Sequence, residues 1–246
     1  MIVIQWLRSL IFVVQIYFAM LVIGIVFAPY AMFSRAGARA ACKTWCKWVF
    51  WSARWMVGIR TEVRGPVPTG DVMIAAKHQS FLDIMLIFHA VPKGKFIMKR
   101  EILWTPIIGL YAKGIGCIPV SRGKRGLAIK KMVRDVDAGR LEAGQLIIYS
   151  QGTRVAPGVK APYKVGTAVL YTELGQPCVP VATNVGVFWP RKGIMRKPGL
   201  AVVEFLPTMP EGLPREAFMA ELQQTVEAKS DALLAEAGFE PERLTQ

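Results

Sequence analysis

The sequence of 246 residues predicts an α/β fold, in which a mainly parallel sheet is flanked by helices and follows a membrane-embedded segment of two helices at the N-terminus. Two observations predict these parts. From residue 59 onward, short apolar runs alternate with amphipathic stretches, as strands and helices do in such folds. Before residue 59, a long uncharged run precedes a segment rich in tryptophan and basic residues. We therefore divide the chain into a membrane segment (residues 1–60) and a globular domain (residues 61–246).

The uncharged run extends from residue 9 to residue 34. It is longer than the apolar core of a signal peptide and long enough to reach across the hydrocarbon region of a bilayer. We therefore expect a helix that stays attached to the chain. The pattern leaves open whether this helix spans the bilayer or re-enters on the same side.

Residues 35–60 are expected to form an amphipathic helix at the membrane interface. At about 100° per residue, five basic residues fall within an arc of about 120°; they are Arg35, Arg39, Lys43, Lys47 and Arg54. The opposite side carries Trp45, Trp48, Trp51 and Trp55. A basic face opposite an indole-rich face is typical of an interfacial helix. The alternative is a surface helix that packs its tryptophans on the core of the domain.

The distribution of charge favours anionic membrane lipid over nucleic acid as a partner. The net charge is +14 at pH 7, yet 53% of the residues are hydrophobic, and a soluble nucleic-acid-binding protein has no use for so long an apolar run. Residues 1–64 carry eight Lys or Arg against one acidic residue, and Arg8 is the only charge before the apolar run. The positive-inside rule therefore predicts an inner (cytoplasmic) membrane protein whose residues after 34 lie on the cytoplasmic side.

The predicted strands and helices alternate along the globular domain. Strands are expected at residues 59–63, 72–76, 96–98, 117–120, 145–149, 178–183 and 201–205. Helices are expected at residues 81–89, 105–112, 126–142, 164–174 and 214–237. The four cysteines and two histidines predict neither a disulfide framework nor a metal site, because no Cys-x-x-Cys pair is present and the cytoplasm is reducing.

The stretch His-Gln-Ser-Phe-Leu-Asp at residues 78–83 combines a histidine with a carboxylate. Five residues of a regular helix turn through about 140°, so His78 and Asp83 can meet only across a bend. Ser80 and Asp83 form the pattern of a capping box, which starts a helix near residue 81 and leaves His78 on the preceding loop. We predict a general base and its orienting carboxylate at a strand-to-helix connection. The alternative is a capping aspartate beside an incidental histidine.

Two further segments place glycine and arginine just after predicted strands. Residues 116–122 end in Arg122 and are followed by Lys124, and residues 151–154 read Gln-Gly-Thr-Arg. Arginine offers a planar, two-pronged donor for phosphate, and backbone amides near glycine and a helix N-terminus add to it. Each segment alone is typical of a solvated loop. Together with the histidine motif, they predict a phosphate-binding catalytic site.

These segments, in this order, resemble the motifs of the glycerophospholipid acyltransferase superfamily, and most closely those of the bacterial 1-acyl-sn-glycerol-3-phosphate (lysophosphatidic acid) acyltransferases. Residues 78–83 match the His-x4-Asp motif, and residues 116–122 resemble the second motif with its substrate-binding arginine. Residues 151–154 resemble the Glu-Gly-Thr-Arg motif, and residues 179–182 the proline-containing fourth motif. The resemblance implies the glycerolipid acyltransferase fold and a catalytic domain at residues 61–246.

The resemblance also implies an activity: transfer of an acyl chain from a thioester to the sn-2 hydroxyl of lysophosphatidic acid, which gives phosphatidic acid in phospholipid synthesis. His78 would be the catalytic base and Asp83 its partner. The expected substrate-binding residues are Arg122, Gln151, Gly152, Thr153, Arg154, Lys99 and Lys124, with Arg100 and Lys164 as further candidates. No cofactor is implied, because acyl carrier protein or coenzyme A brings the acyl chain as a thioester co-substrate.

Two departures from the family pattern loosen the assignment of the substrate. Gln151 stands where the family has a glutamate and loses its charge, and Pro119 and Ser121 replace an aromatic residue and an aspartate. The acceptor could therefore be another lysolipid, such as lyso-ornithine lipid or lysophosphatidylglycerol. A non-catalytic membrane-lipid-binding protein is a second alternative. A covalent route through Ser80 or Cys117 is a third, although no Gly-x-Ser-x-Gly elbow is present.

Overall fold

The structure is a computed structural model and describes residues 2–120 and 142–239. Its α-helices are α1 (Ile2–Phe33), α2 (Arg35–Ser52), α3 (Leu82–Ala90), α4 (Ile108–Gly114), α5 (Gly166–Leu174) and α6 (Arg215–Glu236). Its strands are β1 (Ile59–Arg64), β2 (Met73–Ala76), β3 (Lys95–Lys99), β4 (Ile118–Val120), β5 (Leu146–Tyr149), β6 (Cys178–Thr183) and β7 (Gly199–Phe205). A π-helical turn at Ala53–Val57 continues from α2.

The described strands form one sheet in the order β1-β7-β6-β2-β5-β3-β4. Neighbouring strands run parallel except β6 and β7, which pair antiparallel. The predicted mainly parallel α/β fold is therefore confirmed. Because the five strands from β6 to β4 in this order are parallel, their carboxyl ends meet at one edge, where open α/β sheets bind ligands.

Helices cover both faces of the sheet, so its central strands are buried on both sides. Ile74 and Ala76 of β2 belong to the core that includes residues of α1 to α4, whereas Met73 and Ala75 belong to the core that includes residues of α5 and α6. This alternation is the two-residue period of a strand. Since all four side chains are buried, β2 holds the residues that follow it at the centre of the sheet edge.

Helix α1 binds the globular domain with one face along most of its length. Gln5 Nε2 donates to the carbonyl of Arg196 over 2.8 Å, and Tyr111 Oη donates to the carbonyl of Gly24 over 2.7 Å. The other face is apolar and exposed; it includes Ile4, Leu7, Ile11, Val14, Phe18, Leu21 and Ile25. By length and composition alone, α1 could cross a membrane. An apolar face of this extent fits association with a membrane.

Helix α2 carries the two faces that the sequence predicts, but part of its basic face contacts the protein rather than lipid. Both Nη atoms of Arg39 donate to the carboxylate of Glu142, over 2.8 and 3.1 Å, and Lys43 Nζ donates to the carbonyl of Val91 over 2.7 Å. These bonds satisfy cations that docking of α2 partly removes from water. The charges of Arg39 and Lys43 therefore hold α2 on the domain.

The tryptophans of α2 and the following turn divide into two groups. Trp45 packs on Phe81, and its Nε1 donates to the carbonyl of Ile16 over 2.8 Å. The alternative of tryptophans packed on the core is therefore correct for this side chain. Trp48, Trp51 and Trp55 are 42%, 58% and 65% exposed, so they form the indole-rich surface expected of an interfacial helix.

The connection between β3 and β4 is the clearest difference from the predicted elements. A helix was expected at residues 105–112, but a 3₁₀ turn at Arg100–Trp104 comes first and α4 starts at Ile108. Pro106 cannot donate within a helix, and Ile107 has a φ of 63°, so a tight turn separates the two segments. Apart from the helix predicted at 126–142, the other strands and helices predicted for the globular domain lie within two residues of their predicted bounds. The amphipathic helix predicted at residues 35–60 is shorter than expected, because α2 ends at Ser52, the π-helical turn ends at Val57 and β1 begins at Ile59.

Two further predictions concern boundaries. The helix expected at residues 126–142 lies, except for residue 142, outside the described residues. The division after residue 60 falls inside β1, which begins at Ile59 and pairs with β7. The first strand of the sheet thus begins two residues before the predicted start of the globular domain at residue 61.

Candidate active site

The candidate catalytic residues lie at the carboxyl edge of the sheet, where β2 and β5 end side by side. His78 follows β2 after one residue, and the Gln-Gly-Thr-Arg loop at residues 151–154 follows β5. The N–H of Ser150 donates to the carbonyl of Ala76 over 3.3 Å, and the N–H of Val155 donates to the carbonyl of His78 over 2.8 Å. Parallel pairing therefore brings two motifs together that are far apart in sequence.

His78 and Asp83 meet across a bend, as the capping box predicts. Nδ1 of His78 lies 2.8 Å from Oδ1 of Asp83. Oδ2 of Asp83 accepts from the N–H of Gln79 over 2.8 Å and of Ser80 over 2.7 Å. In return, Ser80 Oγ accepts from the N–H of Leu82 over 3.2 Å. These reciprocal bonds start α3 and turn the histidine back toward its first turn.

The surroundings of this pair determine which nitrogen of His78 can act. The side chain of Asp83 is completely buried, and that of His78 is 12% exposed. Because a carboxylate can only accept, Nδ1 of His78 carries the proton of their hydrogen bond, and in the neutral form of the ring Nε2 then has the lone pair. A neutral imidazole held in this way by a buried carboxylate has the arrangement of a general base. The alternative of an incidental histidine does not explain this geometry.

A row of stacked aromatic rings supports the imidazole. The ring of Tyr149 lies on His78 with centroids 3.9 Å apart and an angle of 21° between the planes. Phe96 stacks on Tyr149 at 6.3 Å, and Phe88 on Phe96 at 5.8 Å. Burial, together with the nearby carboxylate of Asp83, raises the pKa of Tyr149 well above its usual value, so the phenol stays neutral. The histidine ring is thus fixed on one side by a carboxylate and on its face by a phenol.

A cavity of about 580 Å³ opens beside His78. This volume lies within the range of about 300–1,000 Å³ that is common for ligand sites. Most of the cavity wall is apolar and is built by the N-terminal helices together with α3 and α4; it includes Met20, Gly24, Cys42, Met85 and Ala112. The cations of the wall lie on segments at the carboxyl edge of the sheet, which also carries His78, and we call this part the polar end of the cavity. Such a wall suits a molecule with one long apolar part and one anionic part.

Several predicted substrate-binding residues contribute to the polar end of the cavity. Among the described residues, the cations that line it are Lys99, Arg154, Lys164 and Arg191, and Gly152 and Thr153 line it as well. Five of these six residues are among those predicted from the sequence, and the structure brings them into the same cavity wall as His78. They give this part of the cavity wall a positive charge, and an arginine in such a wall can form charge-assisted hydrogen bonds to an anion.

Other predicted residues lie elsewhere. Gln151 is not in the cavity wall: it is 2% exposed, and its Nε2 donates to the carbonyl of Ala161 over 3.3 Å. Its side chain shapes the loop instead of facing a ligand. Arg100 is exposed outside the wall. Arg122 and Lys124 lie outside the described residues.

Sequence reasoning missed Tyr149 and Arg191. Tyr149 reads as an ordinary strand residue, since an aromatic side chain is common in strands. Arg191 follows the fourth motif by nine residues, in a run that reads Trp-Pro-Arg-Lys. The one sequence signal for Arg191 is that a basic residue follows β6, a strand of the parallel part of the sheet.

The geometry does not support a covalent route. Ser80 is completely buried, and its hydroxyl already accepts a hydrogen bond from the N–H of Leu82, the first residue of α3. Burial raises the pKa of Cys117 to about 11, so its thiol stays protonated and unreactive at neutral pH. His89, to which the sequence assigns no role, packs edge-on against Phe50 at 5.5 Å, and burial lowers its pKa.

Comparison with known proteins identifies similar chains. The family model described as Acyltransferase matches residues 57–184. A 1-acyl-sn-glycerol-3-phosphate acyltransferase of Pseudomonas aeruginosa is 30% identical over 204 residues, which are 82% of this chain and 79% of that protein. A protein of the same name from Limnanthes alba is 29% identical over 157 residues, or 62% of this chain and 56% of that protein.

A solved structure is similar over almost the whole chain. The crystal structure of the 1-acyl-sn-glycerophosphate (LPA) acyltransferase PlsC from Thermotoga maritima superposes with a TM-score of 0.76. The match covers 93% of this chain and 98% of the Thermotoga chain at 20% sequence identity. At this identity the match supports the fold, including the helices that precede the sheet.

Proposed function

The chain belongs to the acyltransferase family, as an enzyme of the 1-acyl-sn-glycerol-3-phosphate acyltransferase type, and from this premise we propose that it transfers an acyl chain from an acyl thioester to the sn-2 hydroxyl of lysophosphatidic acid. The observation that carries the proposal is a histidine–aspartate pair in the wall of an apolar cavity with a cationic end. Membership of this enzyme family rules out the non-catalytic lipid-binding alternative.

The proposed reaction is direct transfer with His78 as general base. Nε2 takes the proton of the sn-2 hydroxyl while that oxygen forms a bond to the thioester carbon, and the C–S bond then breaks. The thiolate leaves as coenzyme A or carrier thiol and receives the proton from the imidazolium. Asp83 stabilises the imidazolium that forms in between. The stacked ring of Tyr149 favours the same charge, because the face of an aromatic ring attracts a cation.

The cavity supplies the second part of the catalytic effect, which is orientation. An acyl chain that fills the apolar part of the cavity would bring its thioester carbon to the histidine at the polar end. Holding two reactants in the right geometry can be worth about 7–11 kcal/mol of the barrier. The apolar wall between α1 and α4 supports this assignment, since it has the surface that a hydrocarbon chain requires.

The polar end of the cavity is proposed to bind the phosphate of the acceptor. Arg154 and Lys164 supply charge from the described part of this end, and Arg122 and Lys124 are proposed to add to it from the chain after β4. Charge-assisted hydrogen bonds from arginine to phosphate are short and directional. They would also hold the glycerol so that its free hydroxyl meets His78.

An assay of the purified protein tests the proposal directly. Labelled lysophosphatidic acid would be supplied with acyl-coenzyme A or with acyl carrier protein thioester in detergent micelles. We expect labelled phosphatidic acid with at least one of the two donors. Formation of no phosphatidic acid with either donor, together with turnover of lysophosphatidylglycerol or lyso-ornithine lipid, would instead identify another lysolipid as the acceptor.

Replacing Arg154 by alanine should raise KM for lysophosphatidic acid by about 10–100-fold, because a charge-assisted contact to the phosphate is lost. The KM for the thioester should change little. Steady-state kinetics with each substrate varied in turn measure both constants. Lys160→Ala is the matched control, since Lys160 is an exposed cation of the same loop outside the cavity wall. Equal increases in both constants would show that Arg154 has a structural role.

The enzyme is proposed to work at the cytoplasmic face of the inner membrane, where it contacts anionic lipids. The exposed apolar face of α1 and the exposed indoles of Trp48, Trp51 and Trp55 support this placement. Because α1 contacts the domain from Gln5 to Gly24, we propose that it lies within the leaflet that the domain faces and does not leave the domain to span the bilayer.

Labelling of an introduced cysteine tests the sidedness. Glu211 is exposed, whereas Cys46, Cys117 and Cys178 are buried, so Glu211→Cys adds a reactive thiol over a low background. In spheroplasts of a bacterial host, a membrane-impermeant maleimide should label this variant only after permeabilisation. The unsubstituted protein is the control for the native cysteines. Labelling of intact spheroplasts would place the domain on the periplasmic side.

A further inference from the structure

We propose that Arg191 forms, with Arg154, a two-arginine clamp for the phosphate monoester of the acceptor, and that α1 positions this clamp. The inference rests on the proposed function and deepens it, because it names a residue that selects among lysolipids. Arg191 belongs to the loop at residues 189–198, which connects β6 to β7 and lies outside the motif segments that predicted the site.

The geometry places the two arginines at one end of the cavity. Arg191 and Arg154 both line it, on loops that follow different parallel strands. Arg191 Nη1 donates to the carbonyl of Arg154 over 3.0 Å, and Arg191 is exposed. A guanidinium has five N–H donors, so this bond fixes the position of Arg191 and leaves donors for a ligand. The two loops are thus joined at the point where a phosphate would enter.

The loop that carries Arg191 is held by a second arginine. Arg196 is 6% exposed, and its guanidinium lies over the ring of Trp189 at 4.5 Å. Its Nη1 donates to three carbonyls of the loop itself, those of Gly193, Ile194 and Met195. Arg196 therefore stabilises one conformation of the loop backbone, and this conformation positions the backbone of Arg191 at the cavity.

The same loop is attached to α1. Ser9 Oγ accepts from the N–H of Arg196 over 2.9 Å, and Ser9 is completely buried. Gln5 Nε2 donates to the carbonyl of Arg196, and Phe12 meets Trp189 edge-on at 5.4 Å. Three consecutive turns of α1 thus hold the base of the Arg191 loop. The helix with the exposed apolar face also sets the position of a headgroup-binding cation.

The charge of the acceptor explains why two arginines would select it. A phosphate monoester carries a charge of about −1.5 to −2 at pH 7, because its second pKa is about 6, and it exposes three free oxygens. A phosphodiester such as lysophosphatidylglycerol carries a single charge and has two free oxygens. Two guanidinium groups together carry a charge of +2, close to the opposite of the monoester's charge, and they supply N–H donors for its three free oxygens. Loss of one arginine should therefore weaken the binding of a monoester acceptor more than the binding of a diester acceptor.

Kinetics with two acceptors test the clamp. For Arg191→Ala we expect kcat/KM to fall about tenfold with lysophosphatidic acid and less than about threefold with lysophosphatidylglycerol. Arg191→Lys should recover part of the loss. Lys192→Ala is the matched control, since this neighbouring exposed cation does not line the cavity, and it should leave both values unchanged. An equal decrease in kcat/KM with both acceptors, or no decrease with either, would overturn the proposal of a clamp.

Binding without turnover separates this inference from the proposed function. In a His78→Ala background, the affinity for lysophosphatidic acid in micelles can be measured by calorimetry, with and without Arg191→Ala. A weaker affinity in the double variant supports the clamp even if the acceptor that is acylated proves to be a different lysolipid. Unchanged affinity refutes the clamp, whereas a wild-type protein that acylates no lysophosphatidic acid refutes the proposed function.

The role of α1 has its own test. Ser9→Ala removes the oxygen that accepts from Arg196 but leaves every cation in place. As Ser9 is a positioning residue, its loss should raise KM for lysophosphatidic acid and leave both kcat and KM for the thioester unchanged. An unchanged KM for the acceptor in a folded Ser9→Ala protein would show that α1 does not position the loop.

Discussion

Replacing His78 by alanine is expected to lower kcat for acyl transfer by about 10²–10⁴-fold, which is the usual worth of a positioned general base. The reason is the geometry at the end of β2: Nδ1 is bound to Asp83, so Nε2 is the nitrogen left to take the hydroxyl proton. The protein should remain folded and bound to membranes, because within residues 2–120 and 142–239 the imidazole has a hydrogen bond to Asp83 alone. Initial rates with saturating substrates measure the effect.

The second histidine provides a matched control. His89 packs against Phe50 and is not in the wall of the cavity, so His89→Gln should keep nearly full activity. A folded His78→Ala protein with more than about a tenth of the wild-type kcat would contradict the assignment of the base. In that case Asp83→Asn should also have little effect, whereas the proposed pair predicts a loss similar to that of His78→Ala.

Replacing Glu227 by leucine should lower the free energy of unfolding by about 3–5 kcal/mol, because it leaves a charge buried without its partner. Lys77 precedes His78, its side chain is 2% exposed, and it forms an ion pair with Glu227 of α6. Tyr163 Oη donates to the other carboxylate oxygen over 3.0 Å. For a domain of this size the loss corresponds to a decrease of about 6–20 °C in Tm. Thermal unfolding in detergent, followed by tryptophan fluorescence, measures it.

A fully apolar variant separates the cost of the unpaired charge from the cost of altered packing. The triple variant Lys77→Met, Glu227→Leu and Tyr163→Phe replaces all three polar side chains joined by these contacts. It should recover most of the lost Tm. If Glu227→Leu alone decreases Tm by less than about 2 °C, Lys77 has another partner or reaches water. Recovery of Tm without recovery of activity would show that the ion pair also positions His78.

Much of the site could be predicted because its groups follow strands of one parallel sheet. Periodicity located β2 and β5 to within one residue, and parallel pairing then brings the residues that follow them to one edge. The contact of His78 with Asp83 was also predictable. It depends on a local bend, and the pattern of Ser80 and Asp83 specifies that bend through hydrogen bonds between residues close in sequence.

Contacts between distant segments could not be predicted in this way. The basic face of α2 is clear in the sequence, but nothing local shows that Arg39 would pair with Glu142, about a hundred residues later. Gln151 resembles a substrate-binding residue by its motif, yet the loop turns its amide toward Ala161. Side chains on loops are directed by whichever segment packs beside them, and that choice involves the whole fold.

Four features of this protein can be read from its residues alone: the fold class, the apolar N-terminal helix, the order of the motifs and the pairing of His78 with Asp83. These features depend on periodicity, on composition and on hydrogen bonds within a few residues. Three other features become visible only in the folded protein: which cations line the cavity, that Tyr149 stacks on the imidazole, and that α1 holds the loop of Arg191. The physical reason is that these contacts join residues far apart in the chain, and such contacts form only when the sheet and the N-terminal helices pack together.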